Sequence, residues 1–83
     1  MKVHKEKTWQ HVTTGVDGNT RLFGVNIFDY EWERMGKSVE VTDPLYGQKY
    51  RFSVYKVMID NKEYEFAAGE FSNCIYGFFV QKY

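Results

Sequence analysis

The chain is poor in cysteine and proline, and each shortage excludes a class of protein. Its 83 residues include one cysteine, Cys74, and one proline, Pro44. A single thiol cannot form an internal disulfide or the paired-cysteine kind of zinc site. No repeat, linker or low-complexity tract interrupts the sequence. We therefore expect residues 1–83 to form a single domain, near the lower size limit for one hydrophobic core.

Charge of one sign and long apolar runs are also lacking. Eleven basic and eleven acidic residues cancel and are scattered, whereas proteins that bind nucleic acid usually carry a basic excess or stripe. No stretch approaches the roughly 18 apolar residues of a membrane helix. The first ten residues contain no apolar core of a secretory signal. With its one free thiol, the chain is expected to be cytoplasmic, although a secreted chain without its signal would share these features.

Aromatic residues, in contrast, are abundant. Seven Phe, seven Tyr and two Trp make up 19 % of the chain, within a globular composition that is 43 % hydrophobic and 27 % charged. Each aromatic side chain buries a large area. Sixteen of them exceed what so small an interior is expected to enclose, so we expect some on the surface or in an interface.

The apolar pattern has mostly a period of two, which predicts strands. A polar edge strand is expected over 3–13, followed by a loop over 15–20. A second strand begins at Arg21 and changes phase near Asn26–Phe28, which predicts a β-bulge. A hairpin loop over 34–37 would then pair Trp32 with Val39, Tyr30 with Val41 and, at a cost, Glu31 with Glu40. The alternative is a short helix near 29–35, capped by Asp29 and ended by Gly36.

The second half of the sequence predicts two hairpins after a turn over 42–48. A strand over 49–59 changes phase between Val54 and Tyr55. The Asp60-Asn61 turn, where both residues tolerate positive φ, pairs Val57 with Tyr64, Tyr55 with Phe66 and Lys56 with Glu65. A second turn over 71–73 would pair Phe66 with Phe78, Tyr64 with Val80 and Ala68 with Tyr76.

This last register leaves Phe79 on the reverse side of its strand, beside Ala67, with Ile75 and Gly77. Three covers are open for that face: another element of the same chain, such as the first strand with Trp9, a second copy in a homodimer, or a different partner. A contiguous apolar patch without a cover would mark an interaction surface.

These elements predict an all-β fold of five to six antiparallel strands, forming a small barrel or a strongly bent sheet. Two long strands that each change phase favour bending from one sheet into another. The expected fold is similar in general look to small SH3-like barrels. That similarity concerns architecture and implies no function.

No catalytic constellation is visible, so an enzyme, a cofactor or a metal is not expected. His4 and His11, seven residues apart, would lie on opposite faces of a regular strand. Cys74 has no neighbouring base that would activate it. Asp29, Glu31 and Glu33 form an acidic row that is typical of a solvated strand face.

The leading functional hypothesis is a non-enzymatic interaction module that binds protein, including a second copy of itself, through an aromatic-rich β surface. Its partner-binding residues would be Trp9, Ile75, Tyr76, Phe78 and Phe79.

Two alternatives are retained. The first is a small barrel that binds single-stranded nucleic acid by charge and stacking, through Lys49, Tyr50, Arg51 and Tyr55. The second is a small-ligand carrier or enzyme with a pocket inside the barrel.

Overall fold

The computed structural model describes residues 8–82, apart from the side chain of Lys82. His4 and the predicted start of the first strand at residue 3 lie outside the described residues. The elements, in chain order, are β1 (Thr8–Val16), β2 (Arg21–Leu22), β3 (Val25–Asn26), a 3-10 helix (Ile27–Asp29), β4 (Glu33–Thr42), β5 (Lys49–Ile59), β6 (Lys62–Ser72) and β7 (Ile75–Lys82).

Five of the strands form one antiparallel sheet, in the order β1-β7-β6-β5-β4. The edge strands β1 and β4 approach each other within 8 Å between Cα atoms. A flat sheet would hold them about 19 Å apart, because neighbouring strands lie about 4.8 Å apart. The sheet is therefore strongly bent, and the all-β prediction is confirmed. Within residues 8–82 no ladder pairs β1 with β4, so closure into a barrel stays a prediction.

The hairpin between β5 and β6 is confirmed with its predicted register. Val57 pairs with Tyr64, Tyr55 with Phe66 and Lys56 with Glu65. Asp60 and Asn61 have φ angles of 51° and 65°, as a two-residue turn with positive φ at both positions requires.

The hairpin between β6 and β7 has a different register from the predicted one. Ala67 pairs with Phe79 and Ala68 with Phe78, so the predicted pairing is wrong by two residues. The turn consists of Asn73 and Cys74, and the pairing is irregular between Glu70 and Ser72. The predicted assignment of faces nevertheless holds, because a shift of two residues keeps each side chain on its side.

The predicted second strand is wrong. Phe23 and Gly24, with φ angles of 56° and 81°, form the turn between the short strands β2 and β3. The Asn26 side chain then accepts hydrogen bonds from the backbone N–H groups of Thr20 and Phe28, each at 3.2 Å. These bonds cap the start of the 3-10 helix. That helix is present in place of the predicted bulge, and the alternative helix near 29–35 does not form.

The predicted loop over 34–37 is also wrong, because these residues belong to β4. Gly36, with φ of 76°, lies where the pairing with β5 is irregular, between Arg34 and Ser38. The pairs proposed for Trp32, Tyr30 and Glu31 with β4 therefore do not form. Instead, Val39 pairs with Phe52.

Two hydrophobic cores lie on opposite faces of the sheet. Core A consists of Leu22, Ile27, Val57, Ile59, Phe66, Ala68 and Phe78. Core B consists of Val41, Phe52, Val54, Ala67 and Phe79. Residues 17–32, called here the covering segment, contribute Leu22 and Ile27 to core A, whereas the bent sheet encloses core B.

The two cores explain the change of phase in β5. Phe52 and Val54 face core B, whereas Val57 and Ile59 face core A. The pairing of β5 with β6 is regular from Ser53 to Ile59. The strand therefore keeps its alternation, and the buried face changes from one side to the other along its length.

The same chain covers Phe79, which is 1 % exposed. Its ring contacts the rings of His11, Phe52 and Phe71, with centroids 5.5, 5.8 and 6.1 Å away. Of the three covers considered from the sequence, the first is present. β1 contributes to it through His11, and Trp9 packs against core B.

A pair of glycines makes room for two of these rings. Gly69 and Gly77 lie opposite each other on β6 and β7. A Cβ atom on Gly69 would collide with the Phe52 ring, and one on Gly77 would collide with the Phe71 ring. The aromatic rings thus lie directly on the backbone of the sheet.

Burial separates two residues on the same face of β7. Phe79→Ala should lower the free energy of unfolding by about 3–5 kcal/mol, as expected for a buried phenylalanine. Ile75→Ala, at a position that is 40 % exposed, should cost about 1 kcal/mol or less. Equilibrium unfolding in urea measures both changes, and equal costs would contradict the assignment of Phe79 to core B.

Gly77→Ala tests the ring that lies on the sheet. Alanine at a strand position with negative φ should stabilise slightly, by about 0.4–1 kcal/mol, through the unfolded chain. Overpacking against Phe71 should outweigh this gain and destabilise by about 1–3 kcal/mol. In a Phe71→Ala background the same substitution should be neutral or stabilising. A double-mutant cycle in urea measures the difference, and additive effects would exclude the contact.

Candidate functional site

The structure removes two residues from the predicted partner-binding surface. Phe78 belongs to core A and Phe79 to core B, and neither ring faces solvent. Trp9 is partly buried against core B. Ile75 remains accessible at the start of β7. The predicted surface therefore does not exist as one patch, because the two faces of β7 serve different cores.

Tyr76 lies on the opposite face of β7 from Ile75. Its ring contacts Phe28, with centroids 5.7 Å apart, and stacks on Phe78 at 6.4 Å. Burial raises the pKa of the Tyr76 phenol above its ordinary value, and the nearby carboxylates of Asp17 and Glu70 raise it further. The side chain is thus a neutral part of the rim of core A.

Tyr46 was not among the predicted partner-binding residues, yet it is the most exposed aromatic side chain of the described chain. Of the fifteen aromatic residues in 8–82, four are buried, ten are partly buried and one, Tyr46, is exposed. Tyr46 is 83 % exposed and the adjacent Leu45 is 82 % exposed. The sequence held a signal for this pair, since a leucine and a tyrosine stand inside a predicted turn.

Hydrogen bonds to Asp43 shape the loop that carries these two side chains. The Asp43 carboxylate accepts a hydrogen bond from the Leu45 N–H at 3.0 Å. The Asp43 carbonyl accepts one from the Gly47 N–H at 2.9 Å, and the Asp43 N–H donates to the Gln48 carbonyl at 2.8 Å. Asp43 itself is buried. The loop is therefore a defined turn with an apolar tip.

Further apolar side chains lie at the same end of the sheet. Val16, which is 54 % exposed, pairs directly with Ile75 across β1 and β7. On that face Phe71 lies over Gly77 and contacts Tyr50, with ring centroids 5.1 Å apart. The loop-end surface is defined as the side chains of Val16, Leu45, Tyr46, Tyr50, Phe71 and Ile75. Four of the six large apolar residues exposed within 8–82 belong to it.

The residues of the nucleic-acid alternative do not form one platform. Lys49, Arg51 and Tyr55 alternate with Tyr50 along β5, so Tyr50 points to the other face. Lys49 lies 4.0 Å from a Glu40 carboxylate oxygen, and Arg51 donates to the Ser38 hydroxyl at 3.3 Å. The cations thus have partners on β4, and nucleic-acid binding stays a prediction without further support.

The three acidic residues of the predicted row line a groove. Asp29, Glu31 and Glu33 belong to the 3-10 helix, the segment after it and the start of β4, so they do not form the predicted row on one strand. They border an open groove of about 720 Å³ that is also lined by Tyr30, Trp32, Lys56, Val57 and Met58.

No group of three metal-binding side chains converges within residues 8–82. His11 donates or accepts a hydrogen bond with the Thr14 hydroxyl at 2.7 Å. Cys74 is exposed in the turn after β6. Neither residue lines the groove described above or a second one of about 310 Å³ beside Gly36. The carrier hypothesis, which required a pocket inside the barrel, therefore gains no support from these two grooves.

Comparison with protein-family models, with curated proteins and with solved structures gives no match for this chain. In the part of the chain that the structure describes, no helix has the length and apolar character needed to cross a membrane.

Asp43→Ala should loosen the loop. Loss of the carboxylate leaves the Leu45 N–H without its partner, which should cost about 0.5–1.5 kcal/mol of stability. Asp43→Asn is the control, because an amide oxygen can accept the same bond. Hydrogen exchange at the Leu45 amide should be faster in the alanine variant and close to that of the unmodified chain in the asparagine variant. Unchanged exchange in the alanine variant would show that Asp43 does not fix the loop.

Proposed function

We propose that the protein is a non-enzymatic interaction module that binds another protein chain through the loop-end surface. The observation that carries this proposal is the position of Tyr46, the one aromatic side chain within 8–82 that is exposed rather than packed on a core. Tyrosine is enriched among the residues that dominate binding energy at protein interfaces, where it fills a pocket of the partner.

The shape of the loop supports the same proposal. Binding costs less when the contact residues are already ordered in the free protein. The hydrogen bonds of Asp43 to Leu45, Gly47 and Gln48 hold the tip in one conformation before any partner arrives. Leu45 and Tyr46 then offer a large apolar area at a small entropic cost.

The neighbouring strands supply the remainder of the interface. Val16 and Ile75 lie side by side at the ends of β1 and β7, and Tyr50 and Phe71 border them with partly buried rings. Cys74, in the adjoining turn, carries a free thiol. A free exposed thiol fits a reducing compartment, so we propose the cytoplasm as the location.

Site-specific cross-linking tests the proposal. The photoreactive residue p-benzoylphenylalanine would replace Tyr46 in one variant and Val12, an exposed residue in the middle of β1, in a control. On irradiation in cells, position 46 should form a discrete adduct and position 12 should not. Adding Leu45→Ser to the first variant should abolish the adduct, because that substitution removes the adjacent apolar contact.

The mass of the adduct distinguishes the partners. An adduct of twice the chain mass identifies a second copy, and light scattering of the purified protein over a tenfold concentration range should then show a dimer. Any other mass identifies a different protein. No adduct at position 46, or equal adducts at positions 46 and 12, would overturn the proposal.

A further inference from the structure

The groove lies at the end of the sheet opposite the loop-end surface, where β4 separates from β5. Pairing between these strands begins with Glu33 and Lys56. β5 continues to Ile59 and stays paired with β6 on its other side. Residues 57–59 therefore have a neighbouring strand on one side alone, within the described part of the chain.

The backbone of Met58 points into this gap. Ile59 and Lys62 flank the two-residue turn, so the hydrogen bonds across that turn direct the backbone of Ile59 toward β6. The backbone N–H and C=O groups of successive residues point to opposite sides of an antiparallel strand. Those of Met58 consequently point away from β6. These are the groups that a neighbouring strand would bind.

The segment that precedes β4 does not pair with β5 beyond Lys56, because its side chains make contacts elsewhere. The Trp32 indole N–H donates to the Ile27 carbonyl at 2.8 Å. The Trp32 ring packs edge-on against Phe66 at 5.1 Å and lies 5.3 Å from Tyr55. Residues 30–32 therefore cover core A, and the groove of about 720 Å³ remains between them and β5.

The charge of the groove defines what could enter it. Three exposed carboxylates line it, those of Asp29, Glu31 and Glu33, against one cation, Lys56. The Lys56 ammonium already lies 3.9 Å from a Glu33 oxygen and 4.0 Å from a Glu63 oxygen on β6. The lining therefore has an excess of negative charge that a basic ligand would complement.

We propose that this groove binds a short, extended, lysine- or arginine-containing peptide segment of another protein, which pairs with the open edge of β5 at Met58. The main chain of the peptide would exchange hydrogen bonds with the Met58 N–H and C=O. Its basic side chains would lie beside Asp29, Glu31 and Glu33. This site is separate from the loop-end surface and does not depend on the function proposed for it.

Three synthetic peptides separate strand pairing from simple charge attraction. Lys-Val-Lys-Val-Lys can pair as a strand, Lys-Pro-Lys-Pro-Lys has the same charge but lacks two backbone donors, and Glu-Val-Glu-Val-Glu has the opposite charge. Titration calorimetry of the full chain at low salt should detect binding of the first peptide, binding at least fivefold weaker for the second and none for the third. The Met58 amide resonance should shift with the first peptide.

Variants of the chain locate the site. Glu31→Gln should weaken binding of Lys-Val-Lys-Val-Lys roughly three- to fivefold, as expected for an exposed charge pair. Glu70→Gln, which neutralises an exposed carboxylate at the other end of the sheet, should leave it unchanged. Met58→Pro should abolish binding and retain the β5–β6 ladder, because the Met58 N–H does not serve that ladder.

The peptide comparison stands even if Met58→Pro fails to fold. Equal binding of the valine and proline peptides, binding of the glutamate peptide or equal effects of Glu31→Gln and Glu70→Gln would each overturn the proposal. Absence of binding by every peptide would overturn it as well.

Discussion

Burial of β6 and β7 on both faces is the constraint on which the rest of the structure depends. Phe66, Ala67 and Ala68 are consecutive on β6, and all three are buried, as are Phe78 and Phe79 on β7. Because successive side chains of a strand point to opposite faces, neither face of these strands can be left to solvent. A chain of 83 residues must therefore supply two covers for one sheet. The covering segment supplies one, and the bending of the sheet supplies the other.

The two covers lie over different halves of β5, and this arrangement determines where the candidate binding sites lie. The first half of β5 is buried toward core B, and its second half toward core A. Each cover extends only as far as the core that it closes. β4 and β5 extend into the loop of Leu45 and Tyr46 at one end, and β4 separates from β5 at the other to leave the groove. Both surfaces are thus consequences of how the cores are closed.

The parts of the fold that the sequence predicts are those decided by neighbouring residues. The hairpin at Asp60-Asn61 was predictable because the turn residues, the apolar pairs and the Lys56–Glu65 pair all favour one register. Residues 21–33 were not, since their apolar alternation fits a long strand as well as a short hairpin. The deciding bonds are those that the Asn26 side chain accepts from the backbone N–H groups of Thr20 and Phe28. The β6–β7 register was missed because the turn is the pair Asn73-Cys74, with Cys74 at φ of 63°, and because the pairing is irregular between Glu70 and Ser72.

The candidate site, like the fold, could be predicted only in part from the sequence. The structure also changes the interpretation of the high aromatic content. Sixteen aromatics suggested a surplus for an interface, but two thin cores on opposite faces have long rims, which accommodate large side chains that are only partly buried. Fourteen of the fifteen described aromatics lie in those cores or at such intermediate positions. Their number therefore reflects the two-core architecture. The proposal of binding depends instead on position, because Tyr46 stands on an ordered turn, exposed to solvent and outside both cores.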